Sequence, residues 1–228
     1  AALPKTPVLV TAATKWEYSP LMKALGLTES APGRAEGTVA GRKIVLIKTG
    51  IGAKNAADAL NQGFSPSDFG LALSAGLCGA MQKEAKTGDI IADAREADLD
   101  LVKPLRETAL KLKLPFHFGK ILHTNIILQP AAKKALGEEQ RALACDMETA
   151  SLRRWADGKT DAIAVRIVLD EMQESWPSDV PEGEDLASLA RFAVTHAATL
   201  PSLIGTGLRS ARTMKTLSIF IKTYLETI

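Results

Sequence analysis

Cysteine and histidine are scarce in this chain. Its 228 residues include two cysteines, Cys78 and Cys145, which lie far apart in the sequence. So low a number excludes a disulfide scaffold and is typical of reduced, buried thiols in a cytoplasmic protein. The three histidines, His117, His123 and His196, lack the short spacing of zinc ligands. We therefore expect neither a disulfide framework nor a metal site.

An excess of one charge and aromatic residues are also lacking. Lys and Arg total 28 against 26 Asp and Glu, a formal net charge of +2, and aromatic residues make up 5%. Nucleic-acid binders usually carry a strong basic excess, and single-strand binders carry stacking aromatics. No apolar run approaches the ~18 residues that span a bilayer, and residues 1–5 lack the order of a signal peptide. These absences favour a cytoplasmic protein that acts on a small molecule and binds no nucleic acid.

What is present is an alternation of β-branched runs with helical patterns. The sequence predicts strands at 8–12, 38–40, 43–47, 71–75, 89–92, 120–128, 142–147 and 162–169, with helices at 16–25, 54–60 and 149–155. Apolar strands separated by helices indicate a sheet covered on both faces. We therefore expect one three-layer α/β/α domain over residues 1–228, with turn-rich loops at 30–37 and 175–185.

A separate pattern begins at residue 200. Apolar residues recur at helical spacing up to residue 228, with Arg209, Arg212, Lys215 and Lys222 between them. We favour a C-terminal helix that closes the domain or forms a subunit interface, because any core-facing helix shows this pattern. The alternative is a basic amphipathic helix that makes a peripheral contact with an anionic membrane.

Two glycine clusters follow predicted strands. Gly50 and Gly52 join a strand to a helix, where backbone N–H groups can hold an anion, although a tight turn without a ligand fits equally well. The spacing matches neither the dinucleotide fingerprint nor a nucleoside-triphosphate loop. The second cluster, 75–80, follows an apolar strand and is predicted to border a ligand crevice, or else to allow close backbone packing.

Acidic residues stand near the ends of three predicted strands. Asp146 and Glu148 interrupt an apolar stretch, Asp170 follows strand 162–169, and Glu17 follows the first strand. Carboxylates that converge on one crevice have raised pKa values and suit acid catalysis at neutral pH. Each of them is equally compatible with a helix cap or an ion pair.

The order of these patches resembles the nucleoside phosphorylase superfamily. Residues 10–17, 49–57, 75–79 with 87–91, the Met147-Glu148 pair and Arg166 with Asp170 match its motifs in order over residues 8–170. The closer likeness is to the branch of purine nucleoside phosphorylases and methylthioadenosine/adenosylhomocysteine nucleosidases. A narrower likeness, carried by Leu77-Cys78-Gly79 and residues 200–203, is to hopanoid-associated phosphorylase-like proteins, which are thought to remove adenine from an adenosyl-lipid precursor.

The resemblance implies a mixed central sheet and cleavage of a purine N-glycosidic bond without a resident cofactor. It places Asp170 as the acid that protonates the purine at N7, with Glu17 and Arg166 serving the water nucleophile. It assigns the ribose to Met147 and Glu148, the base region to Asp146 and Ile126 or Ile127, and further substrate contacts to Gly76 and Leu77. Gly50 and Gly52 would hold phosphate or water, so orthophosphate is a potential co-substrate. The resemblance also implies a homo-oligomer, with a dimer favoured.

Three positions depart from the family pattern. Leu77 replaces a Ser or Thr, Ser74 stands where a phosphate-binding Arg is found, and Leu169 replaces the Ser before the acid. The missing Arg favours hydrolysis, or else a phosphate that is bound by different residues. Three hypotheses remain open at this point: an enzyme that cleaves an adenine-type nucleoside, a nucleoside-binding homologue without turnover, and a membrane-associated phosphorylase acting on an adenosylated hopanoid lipid.

Overall fold

The computed structural model describes residues 6–95, 97–175 and 200–228. The strands in these ranges are β1 (Val8–Ala12), β2 (Thr28–Ala31), β3 (Arg34–Val39), β4 (Arg42–Lys48), β5 (Leu71–Ala80), β6 (Ile90–Asp93), β7 (Phe116–Phe118), β8 (Lys120–His123), β9 (Ala142–Asp146) and β10 (Asp161–Asp170). The helices are α1 (Lys15–Leu25), α2 (Ala53–Asn61), α3 (Leu99–Leu112), α4 (Pro130–Gln140), α5 (Thr149–Ala156) and α6 (Leu200–Thr227), with a 3-10 turn at Pro66–Asp68.

The strands form one mixed sheet in the order β2-β3-β4-β1-β5-β10-β6-β7, and β9 joins the end of β5 and pairs with β8. Strands β4, β1, β5 and β10 are parallel, so their carboxyl ends lie at the same edge of the sheet. At one edge β2 runs antiparallel to β3, and β3 runs antiparallel to β4. On the other side β6 runs antiparallel to β10, and β7 is parallel to β6. The mixed sheet that the resemblance implied is confirmed.

Helices cover both faces of this sheet because its strand residues alternate between them. Val8 and Val10 of β1 face a core that includes residues of α1, α3 and α6. Leu9 between them faces a second core with Leu60 of α2 and Leu152 of α5. The expected three-layer arrangement is therefore confirmed. That the whole chain forms one domain stays a prediction, since residues 176–199 lie outside the described ranges.

The loop predicted at 30–37 is wrong, because this segment contains most of an antiparallel hairpin. Ala31 pairs with Arg34 around Gly33, whose φ of +72° is accessible to glycine without strain. All of β2 is exposed at the sheet edge. With no face to bury, β2 lacks the apolar alternation that identifies a strand. The loop predicted at 175–185 lies outside the described residues from 176 onward.

The second glycine cluster also differs from its expectation. Residues 76–80 continue strand β5 instead of forming a loop after it, and the same strand pairs with β10 up to Gly79. The prediction for 120–128 is wrong in its second half, since β8 ends at His123. Helix bounds, in contrast, agree with the predictions to within one residue for α1, α2 and α5.

The C-terminal helix closes the core. In its second half, Leu217, Phe220 and Tyr224 are fully buried, and the Tyr224 hydroxyl donates to the Leu101 carbonyl at 2.9 Å. These residues are therefore not available to a lipid surface, which supports the favoured interpretation, although Leu208 and Ile219 of the same helix are 70% and 44% exposed. Among the described residues, no helix is both long enough and apolar enough to cross a membrane.

Candidate active site

Glu17 lies at the carboxyl edge of the parallel strands, in the first turn of α1. Thr14 caps this helix, and Glu17 completes the capping box by accepting from the Thr14 and Ala13 N–H groups through Oε2, each at 3.0 Å. The other oxygen, Oε1, accepts from the Leu77 N–H of β5 at 2.8 Å. The carboxyl is thus locked in position and buried, with 4% of the residue exposed.

Arg166 is the largest fully buried side chain of the described residues. Its Nη2 donates to Ser74 Oγ at 2.6 Å and lies 2.7 Å from Asp146 Oδ2 and 3.7 Å from Glu148 Oε2. Burial alone would lower the pKa of the guanidinium, but the Asp146 and Glu148 carboxylates outweigh it and raise that pKa. Within the described ranges, Arg166 Nε is buried and has no acceptor. Arg166 is therefore positively charged at every working pH, and its Nε–H group is free to donate a hydrogen bond.

Gly76 makes room for this cluster. It lies opposite Arg166 in the register of β5 and β10. A Cβ built on it would come within 2.4 Å of both Arg166 Nη1 and Glu17 Oε1. Glycine is therefore required here by close approach and not by its backbone angle, which explains a glycine within a buried strand.

The Asp146 side chain contacts Thr149 and Arg166, and its expected position near the base stays a prediction. Its two oxygens accept from the Thr149 N–H and hydroxyl at the start of α5, and Oδ2 also pairs with Arg166. Since these contacts occupy the carboxylate inside the protein, the side chain serves as helix cap and counter-ion. This is one of the alternatives that the sequence left open.

Glu148 lies between the first glycine loop and Arg166. It ends the turn after β9, and its Oε1 accepts from the Gly52 N–H at 3.0 Å. Burial raises the pKa of Glu148 to about 7; Asp146 and Glu17 add to this effect, while Arg166 opposes it. A carboxyl with this pKa changes its ionisation near neutral pH, which is typical of functional sites.

The first glycine loop supports Glu148 and presents no open anion cradle. Gly50 and Gly52 have φ of +82° and +89°, and the Gly50 N–H donates to the Ala13 carbonyl at 2.9 Å. The Gly52 N–H is occupied by Glu148. In this arrangement neither amide is directed at an orthophosphate, so the phosphate role expected for the loop has no support in its hydrogen bonds.

Asp170 lies farther along the same strand pair. A register shift between Val168 and Asp170 places Asp170 opposite Gly79, and a Cβ on Gly79 would lie 3.0 Å from Asp170 Oδ2. The same oxygen is in a short contact with Nζ of Lys133 from α4. Gly76 and Gly79 are three strand residues apart, about 10 Å. Glu17 and Arg166 therefore mark one end of the candidate site, and Asp170 marks the other.

The remaining predicted contact residues differ in burial. Met147 is half-buried between Asp146 and Glu148, and Leu77 is half-buried on β5. Ile126 lies in the loop after β8 with 67% of its surface exposed, and Ile127 is 42% exposed. The Thr124 N–H of this loop donates to the Asp146 carbonyl at 2.7 Å. Ile126 is thus anchored near the site but lies outside its buried cluster.

The structure adds three residues that the sequence analysis did not assign a part in the site. Thr149 and Ser74 hold Asp146 and Arg166, and Lys133 holds Asp170. Hydroxyl residues are common in strands and helix starts, and Lys133 is one of two adjacent lysines on a polar helix. Nothing in the local sequence distinguishes these side chains, since their partners are distant along the chain.

A cavity of about 390 Å³ lies elsewhere, between α6 and the turn before β6. It is lined by Thr87, Gly88, Leu208, Arg209, Arg212, Thr213 and Thr216. None of the predicted site residues lines it. The described residues also contain no group of His, Cys, Asp and Glu side chains that could hold a metal ion.

Comparisons with known proteins give a fold and no family assignment. No family model and no curated protein matches the sequence. Among solved structures, 5′-methylthioadenosine/S-adenosyl homocysteine nucleosidase of Campylobacter jejuni is similar with a TM-score of 0.71 at 19% identity, covering 98% of this chain and 99% of that chain. A futalosine hydrolase mutant of Helicobacter pylori has a TM-score of 0.73 at 16% identity, covering 98% and 100%.

A third similar structure carries a ligand. It is a mutant of the Helicobacter pylori nucleosidase with 5′-methylthioadenosine in the active site, with a TM-score of 0.73 at 15% identity, covering 99% of this chain and 100% of that chain. These likenesses span the whole of each chain. They confirm that the chain has the fold that the resemblance to the nucleoside phosphorylase superfamily implied.

Proposed function

We propose that the chain is a purine nucleosidase that hydrolyses the N-glycosidic bond of an adenine-type nucleoside. The observation that carries this proposal is the placement of Glu17, Arg166 and Glu148 around Gly76, about 10 Å along β5 from Asp170. Cleavage of a nucleoside requires stabilising groups at both the ribose and the base, because positive charge develops on the ribose while negative charge develops on the departing base.

The ribose end of the site supplies the nucleophile. Glu17 accepts a proton from water as it attacks C1′, and the unused Nε of Arg166 is the donor that orients this water. Glu148, as an anion, accepts from the ribose hydroxyls and stabilises the oxocarbenium ion, while Met147 packs against the sugar. Arg166 compensates the charge of these carboxylates between turnovers.

The base end of the site supplies the acid. As the C1′–N9 bond breaks, its electron pair moves into the purine ring, and N7 takes a proton from Asp170. Ile126 and Ile127, which lie exposed in the loop after β8, contact the base. No cofactor takes part in this scheme.

Two observations favour water over orthophosphate. The cluster holds one cation, Arg166, and three carboxylates, those of Glu17, Asp146 and Glu148, so 1 − 3 gives a charge of −2 when all of them are ionised. A phosphate dianion would be repelled by that charge. The Gly50 and Gly52 N–H groups donate to protein oxygens instead.

The replacement at Leu77 does not disable this site. Leu77 contacts Glu17 through its backbone N–H, which any residue except proline supplies. This observation favours a working enzyme over a nucleoside-binding homologue. Because Leu217, Phe220 and Tyr224 of α6 are buried in the core, the geometry also disfavours a membrane-associated enzyme that acts on an adenosylated hopanoid lipid.

The similar structures and the near-neutral net charge of the chain support a proposal for the substrate class. We propose an adenine nucleoside with a 5′ substituent, such as methylthioadenosine or adenosylhomocysteine. We further propose a cytoplasmic homodimer, for which the exposed side chains of Leu110 and Phe118 provide apolar surface. Light scattering on the purified protein tests the dimer.

Purine release from a panel of nucleosides tests the proposed function. Wild type is compared with Asp170→Asn and with Asp157→Asn, a matched change at an exposed carboxyl. We expect wild type and Asp157→Asn to release base at equal rates and Asp170→Asn to be slower by roughly 10²–10⁴-fold. Base release from no nucleoside, or equal rates for all three proteins, would contradict the proposal.

A further inference from the structure

Lys133 is a fully buried lysine without a role in the proposed mechanism. It lies in the first turn of α4, and its side chain is 2% exposed. Its ammonium contacts the Asp170 carboxylate and donates to the Glu171 and Glu174 carbonyls at 3.1 and 3.2 Å. A buried ammonium persists only with such compensation, so all three of its donors have acceptors.

The same contact fixes Asp170. Its carboxylate lies between the backbone of Gly79 and the Lys133 ammonium, beside the register shift of β10. Leu169, the residue before it, has no hydroxyl that could orient the carboxylate. Lys133 supplies a hydrogen-bond donor from a different element, α4.

Four other titratable groups of the described residues lie around Asp170 and Lys133. Cys145 of β9 and Cys78 of β5 face Asp170, and burial raises the pKa of Cys145 to about 12 and that of Cys78 well above its usual range. The Glu174 carboxylate pairs with Arg209 of α6 at 2.7 Å, and the Glu171 carboxylate pairs with Lys86 at 3.1 Å. The two thiols therefore stay neutral near pH 7, and the two other carboxylates have partners of their own.

We propose that Lys133 positions Asp170 and supplies the proton that Asp170 passes to the departing purine. This inference rests on the proposed function. As the C1′–N9 bond breaks, an N–H bond of the Lys133 ammonium breaks and its proton moves to the Asp170 carboxylate, while the O–H proton formed there passes to N7 and leaves Asp170 an anion again. Lys133 is left as a neutral amine. It takes a proton from solvent after the base leaves, while Glu17 releases the proton that it took from water.

The test compares two leaving groups across three variants. Lys133→Met removes the charge, Lys133→Arg keeps the charge but cannot release a proton at any working pH, and Lys134→Met is the matched control on the adjacent exposed lysine. The two substrates are the nucleoside that wild type cleaves and a 4-nitrophenyl riboside with the same 5′ group, whose leaving group needs no protonation.

We expect kcat for the purine nucleoside to fall about 10²-fold in Lys133→Met and in Lys133→Arg, with KM little changed. For the nitrophenyl riboside we expect kcat to stay within about threefold of wild type in both variants. We also expect Lys133→Met to add no further loss in an Asp170→Asn background, because both residues act in one step.

Three results would overturn the inference. The first is a Lys133→Arg protein with wild-type kcat on the purine nucleoside, which would leave Lys133 a positioning role alone. The second is an equal loss on both substrates, which would indicate a structural defect. The third is a Lys134→Met loss equal to that of Lys133→Met. If Lys133→Met does not fold, Lys133→Arg decides between these outcomes. A wild type that cleaves no purine nucleoside overturns the proposed function itself, a distinguishable result.

Discussion

Arg166 and Gly76 lie opposite each other in neighbouring parallel strands, and a Cβ on Gly76 would come within 2.4 Å of Arg166 Nη1. Ordinary van der Waals contact requires more than 3 Å. The glycine therefore lets a charged side chain cross the strand and reach Ser74, Asp146 and Glu148. In the sequence, β5 shows mainly apolar residues and glycines. In the structure, Gly76 of this strand leaves the space that the Arg166 side chain occupies.

Gly76→Ala should damage activity more than folding. The added methyl displaces Arg166 and Glu17 by side-chain movement, so we expect kcat/KM to fall at least about 10²-fold and stability to fall by about 1–3 kcal/mol. Gly207→Ala is the matched control, because a Cβ at Gly207 in α6 meets no atom within 4 Å. Equal activity of the two variants would contradict the close approach.

Arg166→Gln should strongly destabilise the fold. It removes the cation that compensates three buried carboxylates, and we expect urea denaturation to show a loss of roughly 3–5 kcal/mol. The double variant Arg166→Gln with Asp146→Asn should recover part of this loss, because Asp146 is the carboxylate closest to Arg166, at 2.7 Å. A double variant less stable than the single one would argue against charge compensation.

Glu148→Gln should be more stable than wild type at pH 8. The raised pKa, about 7 in the folded protein against 4.5 as its ordinary value, means that the folded state keeps a proton that the unfolded chain loses. Stability therefore falls as pH rises from about 4.5 to about 7, by up to about 3 kcal/mol. Glutamine avoids this loss and still accepts from the Gly52 N–H.

Melting temperatures at two pH values measure this effect. We expect the variant to exceed wild type at pH 8 and the difference to become small near pH 5. A constant difference across this interval would mean that Glu148 does not titrate there.

The pH dependence of activity should report the same group. Because the proposed mechanism uses the Glu148 anion, we expect kcat/KM to rise with pH through about 7 and then to level off above it. In Glu148→Gln the residual activity should lose this acid limb. A wild-type profile that is flat between pH 5.5 and 8.5 would assign no catalytic ionisation to Glu148.

Much of the fold could be predicted because buried strands and helices show a regular spacing of apolar residues in the local sequence. The apolar strands β1, β4 and β10 and the helices α1, α2 and α5 stand out by periodicity alone. The exposed strand β2 does not, because none of its residues is buried. The extension of β5 through Gly76 was also missed, since glycines indicate turns unless the side chain that approaches them is known.

In the candidate site, too, local motifs identify some residues, while other contacts depend on tertiary packing. Glu17, Glu148, Arg166 and Asp170 were found through ordered motifs, and the structure brings the first three together around Gly76. The partners that tune them, such as Lys133 for Asp170 and Gly52 for Glu148, lie 37 and 96 residues away along the chain. Such pairs follow from tertiary packing, and no local pattern encodes them.

The mass of the sugar product tests the central claim most directly. Wild type is incubated with the adenine nucleoside that it cleaves fastest, once in phosphate-free buffer and once with excess orthophosphate, and the products are measured by mass spectrometry. We predict free base and the free sugar at equal rates in both buffers, because the proposed mechanism uses water as the nucleophile at the Glu17 and Arg166 end of the site. A sugar 1-phosphate, or base release only when phosphate is present, would contradict the account.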